Sequence, residues 1–167
     1  HSYHPNMTDA LPLNDRIALV VGASRGIGYE SALALAKAGA HVIATARTQG
    51  GLEELDDRVK TLGLPGAGNL TMAPMDVTND DAMRHLCRSI HDRWGGLGLW
   101  VHAAVHAAPL SPAGSMDQKD WEKSLAANTR ATGMLIPMAI NRVDMSSILS
   151  GDLFLSVFMF RFPSFTA

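Results

Sequence analysis

Val21-Gly22-Ala23-Ser24-Arg25-Gly26-Ile27-Gly28 is the most informative segment of this sequence. It follows an apolar, β-branched run, Arg16 to Val21 (RIALVV), which has the signature of a buried strand. It leads into an alanine- and leucine-rich segment, Ile27 to Ala38, that predicts a helix stopped by Gly39. Ile27, Ala32, Leu35 and Ala36 are expected on the buried face of that helix. A strand running through Gly22, Gly26 and Gly28 into a helix is the arrangement a pyrophosphate site needs. Glycine permits the tight turn and lets the backbone approach phosphate with no Cβ between them. The helix start presents unpaired N–H groups and the positive end of its dipole to an anion.

Beyond this segment, strand and helix signals alternate. His41 to Ala46 (HVIATA) repeats the buried-strand pattern, and Leu52 to Leu62 reads as a charged amphipathic helix. Leu70 to Met75 is a third strand, Asp80 to Trp94 a helix, Leu97 to Ala104 a fourth strand, and Trp121 to Ile140 a longer helix. This order predicts βαβ units and a doubly wound, Rossmann-like parallel sheet with helices on both faces. With no internal repeat or linker to divide it, residues 1–167 are expected to form one dinucleotide-binding domain, cut short after about the fifth strand.

Bulk composition limits the function classes. The chain length suits one compact core. Fourteen basic and sixteen acidic residues leave a net charge of −2, which offers no electrostatic footprint for nucleic acid. The lone Cys87 excludes an intramolecular disulfide framework and suits a reducing compartment. No apolar run is long enough to cross a bilayer and no signal sequence is recognisable, so a soluble cytoplasmic protein is expected, with no membrane partner. Residues 1–10 read as a flexible leader. Residues 145–167 are atypical, because all five phenylalanines (Phe154, Phe158, Phe160, Phe162 and Phe165) fall there. Either this is a last strand with aromatic packing residues, or the end is foreign to the domain before it.

The segment VGASRGIG resembles the glycine motif of the short-chain dehydrogenase/reductases, and the resemblance extends to about Asn128. It implies hydride transfer between a nicotinamide cofactor and a small-molecule carbonyl or alcohol, with Gly22, Ser24, Arg25, Gly26, Ile27 and Gly28 around the cofactor. The second strand ends Thr45-Ala46-Arg47-Thr48 with no carboxylate before Glu53. An acidic residue there would bind a ribose 2′-hydroxyl, whereas an arginine suits a 2′-phosphate. Arg47 and Arg25, each a planar two-donor fork, therefore favour NADP(H) over NAD(H), unless both are merely solvated charges. Asp76-Val77 resembles the family's adenine-contacting segment; as physical an alternative is a carboxylate at a helix N-terminus near Thr78 or Asn79. The same loop also satisfies G-x-S-x-G, the nucleophile elbow of α/β hydrolases, in which Ser24 would attack an ester. Against this stand Gly28, which it does not explain, the small amount of sheet preceding the motif, and the short chain.

Beyond the fourth strand the pattern departs from the family. Where the family carries Asn-Asn-Ala-Gly, this chain has His102-Ala103-Ala104-Val105, which keeps only the alanine; Ala103 and Ala104 are the positions expected beside the cofactor. His102 and His106 are four apart, but without a helix or the glutamate of H-E-x-x-H no metal site is expected. Asn128 matches the asparagine that anchors a water in the family's proton relay, and is otherwise an ordinary polar helix residue. Reducing a carbonyl requires a proton donor, which the family supplies as serine and Tyr-x-x-x-Lys. The only tyrosines are Tyr3 and Tyr29, neither with lysine four residues on. By the family's spacing the serine falls near Ser156 and the tyrosine beyond Ala167. The chain is therefore expected to lack normal turnover and, with a sheet edge uncovered, to self-associate as a homo-oligomer. A non-catalytic nucleotide-binding or scaffold domain is the competing reading.

Overall fold

The computed structural model describes residues 11–63, 67–107, 109, 115, 117–131 and 133. Four strands, β1 (Ile17–Val21), β2 (His41–Ala46), β3 (Leu70–Pro74) and β4 (Leu99–His102), alternate with helices α1 (Gly26–Lys37), α2 (Gln49–Lys60) and α3 (Asp80–Trp94). A short α4 (Gln118–Ser124) passes into a π-helical turn over Leu125–Arg130. The strands form one parallel sheet in the order β3-β2-β1-β4. In register, Val21 lies beside Thr45 on one side and His102 on the other. This is the doubly wound α/β arrangement that the sequence predicts.

The two faces of the sheet bury different kinds of side chain. One face packs Ala18, Val20, Val42 and Ala44 against Ala32, Leu33 and Ala36 of α1 and Leu52, Leu55 and Val59 of α2. Its alanines let helix and sheet come close. The other face holds bulkier groups: Leu19, Val21, Ile43 and Trp100 pack with Met83 and Ile90 of α3, and with Val77 and Ala131. Central strands buried on both faces need continuous apolar runs, which explains RIALVV and HVIATA. Edge strand β3 is only partly buried and ends in Pro74, which an edge tolerates. Burial of Met83, Cys87 and Ile90 on one side of α3 follows helical spacing.

Several boundaries shift for physical reasons. Ile27 is not on the core face of α1 but 45% exposed. The buried line runs Gly28, Ala32, Ala36, four residues apart, which leaves Ile27 turned away by one residue's rotation. Leu33 is buried there, and Leu35 is partly buried against the same core. Helix α2 begins at Gln49, a turn before Leu52, and β4 is shorter than the expected Leu97 to Ala104. The last helix starts at Gln118 rather than Trp121, because the Asp117 carboxylate accepts the Lys119 backbone N–H at 2.8 Å. Residues 134–140 of that expected helix, the leader, the Phe-rich tail with Ser156, and the place of a fifth strand lie outside the described residues.

Gly28 is the tightest point of the β1–α1 junction. A Cβ on Gly28 would fall 2.1 Å from the Gly22 carbonyl oxygen, a contact no side chain can make. Gly26 has φ +58° but nothing within 4 Å of an added Cβ. Gly28→Ala is therefore expected to destabilise the chain by about 3 kcal/mol. Gly26→Ala, which meets only the left-handed backbone penalty, should lose about 1 kcal/mol. Urea denaturation of the two variants checks this; equal losses would refute the assignment of close packing to Gly28.

Candidate functional site

From β1 the chain winds outward to β2 and β3, then returns to place β4 on the other side of β1. The connections thus diverge at the carboxyl ends of β1 and β4, the crevice where open α/β sheets bind ligands. The glycine loop lies there. Gly22 and Ala23 N–H groups both donate to the Thr45 carbonyl, at 2.8 and 3.1 Å, and the Ala103 N–H donates to the Val21 carbonyl at 2.7 Å. Three strand ends are thereby pinned together. Gly22 has φ +87°, and a Cβ there would lie 2.5 Å from the Ala104 nitrogen. Gly28 faces the Ala103 methyl, with its own added Cβ 3.3 Å away. Gly22, Gly28, Ala103 and Ala104 therefore form one closely packed floor. Arg25, Gly26 and Ile27 are exposed above it.

Helix starts around this floor differ in kind. Helix α3 is fully dressed: the Asn79 side chain accepts the Ala82 N–H at 3.0 Å, and Asp80 and Asp81 occupy the first turn. Helices α1 and α2 have no side-chain cap at Arg25 or Thr48 and no acidic residue in their first turns. Both leave N–H groups and dipole charge uncompensated. Their starts converge, because Gly51 packs on Ser24; a Cβ on Gly51 would be 2.7 Å from the Ser24 carbonyl oxygen. The sequence reading missed Gly51, although the Gly50-Gly51 doublet inside a helical turn was a signal. Arg25 and Arg47 are both exposed at these helix starts. The arrangement suits an anion with several oxygens, approached by backbone on one side and guanidinium on the other.

Asp76 and Val77 follow β3 on the same end of the sheet. The Asp76 carboxylate accepts the Thr78 N–H at 2.9 Å and the Thr78 hydroxyl at 2.7 Å. The Thr78 N–H, with the hydroxyl and the Arg47 charge adding to it, holds the Asp76 carboxyl below the usual carboxylate range. Asp76 thus braces its own turn, while Asn79 is the residue that caps α3. Val77 is buried in the core beneath.

Asn128 sits in the π-helical turn and grips the chain after β4 from both sides. Its Oδ1 accepts the His106 N–H at 2.8 Å, and its Nδ2 donates to the His106 carbonyl at 2.9 Å and to the Ser124 hydroxyl at 3.0 Å. Single π turns recur at functional sites because they displace backbone from the helical ladder. In the sequence His106 stands out only as the neighbour of His102 in a discounted metal pair, and Ser124 only through its spacing of four from Asn128. His102, where the family has asparagine, is buried with neither ring nitrogen hydrogen-bonded, and packs edge-on to Trp100 at 5.9 Å. Among the described residues no group of three or more His, Cys, Asp or Glu could hold a metal, and no helix is long and apolar enough to cross a membrane. A separate concavity lined by Asp15, His41, Asn69 and Trp94 opens at the opposite ends of the strands, away from the glycine loop.

A doubly wound parallel sheet with a glycine loop at its switch point has the arrangement found in nucleotide-binding α/β domains. Residues 16–149 match the family described as short chain dehydrogenase, and the chain belongs to that family of oxidoreductases. It is 30% identical over 130 residues to the NADP-dependent 3-hydroxy acid dehydrogenase YdfG of Escherichia coli K12, covering 75% of this chain and 50% of that protein. To the human dehydrogenase/reductase SDR family member 11 it is 37% identical over 97 residues, covering 57% of this chain and 36% of that one. Its fold is similar to that of a short-chain type dehydrogenase/reductase from Mycobacterium ulcerans, with a TM-score of 0.73 and 28% identity over 78% of this chain and 47% of that one. The chain spans half or less of the length of these relatives.

Burial pushes the His102 imidazole down to about 4 from its ordinary 6.5. The folded state keeps this ring neutral, so below pH 6.5 the unfolded chain binds the extra proton. Its contribution is complete above pH 6.5 and is lost as pH falls toward 4. The expected loss is about 2–3 kcal/mol across that window. His102→Leu should flatten that slope in urea denaturation measured from pH 7 to 4.5; an unchanged slope would contradict the assignment.

Proposed function

We propose that this chain binds NADP(H), with the dinucleotide phosphates at Gly22, Ser24, Arg25, Gly26, Ile27 and Gly28 and the 2′-phosphate between Arg25 and Arg47. The observation that carries the reading is the meeting of two uncapped, acid-free helix starts where Gly51 packs on Ser24. Gly26, exposed and with nothing within 4 Å of an added Cβ, offers bare backbone to a ligand above the closely packed Gly22–Gly28 junction. Exposed guanidiniums with no carboxylate between Thr45 and Gly51 favour a phosphate over a ribose hydroxyl. The YdfG relative, named NADP-dependent, supports the same choice.

Asp76 and Val77 would border the adenine, and Ala103 and Ala104 would floor the cleft toward the nicotinamide. Asn128 would hold the His106 backbone at the rim where a water could be anchored. When bound, the nicotinamide supplies or accepts the hydride for a small carbonyl or alcohol. Reduction of the carbonyl would also need a proton delivered to the substrate oxygen. Because His102 and Val105 depart from Asn-Asn-Ala-Gly at the end of β4, the cleft is proposed to bind cofactor with impaired turnover. These departures equally favour a non-catalytic nucleotide-binding role.

Titrating the chain with NADPH and NADH while following Trp94, Trp100 and Trp121 fluorescence tests the reading. NADPH is expected to bind at least about tenfold more tightly, and Arg47→Ala to remove most of that difference while leaving NADH within about twofold. No response to NADPH would overturn the proposal. Steady NADPH oxidation with a carbonyl substrate would overturn the proposed impairment and favour the oxidoreductase reading over the non-catalytic one. Labelling of Ser24 by an organophosphonate, unaffected by NADPH, would favour the esterase reading instead.

Self-association is part of the same proposal. Trp121 and Leu125, four residues apart along the last helix, are 51% and 43% exposed and offer an apolar stripe to a second copy. Sedimentation should find a dimer or larger species that Trp121→Glu dissociates; a stable wild-type monomer would count against it.

A further inference from the structure

We infer that Arg130 is a positioning residue: through Asp80 it fixes the turn Asp76–Asn79 against the turn that carries Asn128, so that both rims of the cleft are set as one piece. The inference rests on the nucleotide-binding reading above. The local bonds of the β3–α3 turn, Asp76 to Thr78 and Asn79 to Ala82, shape it internally but leave its position relative to the last helix undetermined. Arg130 supplies that tie. Its Nη1 donates to Asp80 Oδ1 at 3.2 Å and its Nη2 to Asp80 Oδ2 at 2.6 Å, a two-pronged pairing across fifty residues of sequence. Such a fork fixes orientation as well as distance, which a single contact cannot.

Two neighbours make the attachment rigid. Ala131 is 1% exposed and lies in the same apolar cluster as Val77 and Met83, so the chain grips the adenine side at consecutive residues, one ionic and one apolar. Asn128, two residues earlier, is bonded to both backbone groups of His106. The π-helical turn sets the phase: one extra residue in the turn rotates the next residues by about 100°. With that rotation Asn128 meets the strand-end loop while Arg130 and Ala131 meet α3. The ion pair is partly exposed, with side-chain accessibilities of 55% for Arg130 and 25% for Asp80, so salt should weaken the coupling.

The test compares the full chain with Arg130→Gln, Asp80→Asn, the double variant, and Arg130→Lys as the conservative replacement. Two readouts are used: backbone amide exchange over residues 76–83 without ligand, and affinity for adenosine 2′,5′-bisphosphate, which carries only the adenine half of the cofactor. Arg130→Gln should speed exchange over 76–83 and weaken the nucleotide by about three- to tenfold at low salt. Asp80→Asn should do the same, the double variant no worse than either single one, and Arg130→Lys should recover part of the loss. Wild-type affinity and exchange in Arg130→Gln, or losses that add in the double variant, overturn the inference while the nucleotide reading stands. If the wild-type chain does not bind adenosine 2′,5′-bisphosphate, the nucleotide reading falls and takes the positioning role with it.

Discussion

Everything at the carboxyl end of this sheet hangs on the close approach of Gly28 to the Gly22 carbonyl. It lets α1 begin directly against the end of β1, with no side chain to hold helix and strand apart. Gly22 in turn lies flat against the Ala103–Ala104 backbone, so the first crossover and the return strand share one contact. Remove that contact and the switch point opens: α1 lifts, its N-terminus no longer points into the crevice, and α2, packed on Ser24 through Gly51, loses its reference. The corner proposed to accept the cofactor's phosphates is therefore a property of glycine spacing before it is a property of any charged side chain.

Much of this was legible in the sequence because the signals were local. RIALVV and HVIATA carry the signature of strands buried on both faces, and the glycines between strand and helix mark the crevice. Boundaries fared less well. Ile27 looked like a core residue by apolar character, but its rotation relative to Gly28 turns it outward. The last helix starts at a cap, Asp117, that a search for apolar periodicity passes over.

What the sequence could not disclose was long-range. Asp80 and Arg130 are ordinary surface charges until the fold brings their forks together. His106 matters through its backbone, and no residue type announces a backbone role. Asn128 was named from a resemblance; its grip on both His106 groups is a geometric fact that spacing does not contain. The π-helical turn beneath it likewise leaves no mark in composition, since it costs one extra residue in a turn rather than an unusual one.

The unequal filling of the two sheet faces limits how this domain can vary. On the α1–α2 side, fully buried Ala18, Ala32, Ala36, Ala40 and Ala44 leave no slack, so an added methylene must push a helix off the sheet. On the α3 side, Trp100, Met83, Ile90 and Ile43 fill space with large groups, so the hazard there is a void rather than a clash. Sequence drift should therefore be one-directional on each face: enlargement is excluded over the first two crossovers, and shrinkage over the third. The half of the domain that shapes the proposed phosphate corner is also the half whose geometry is least able to drift.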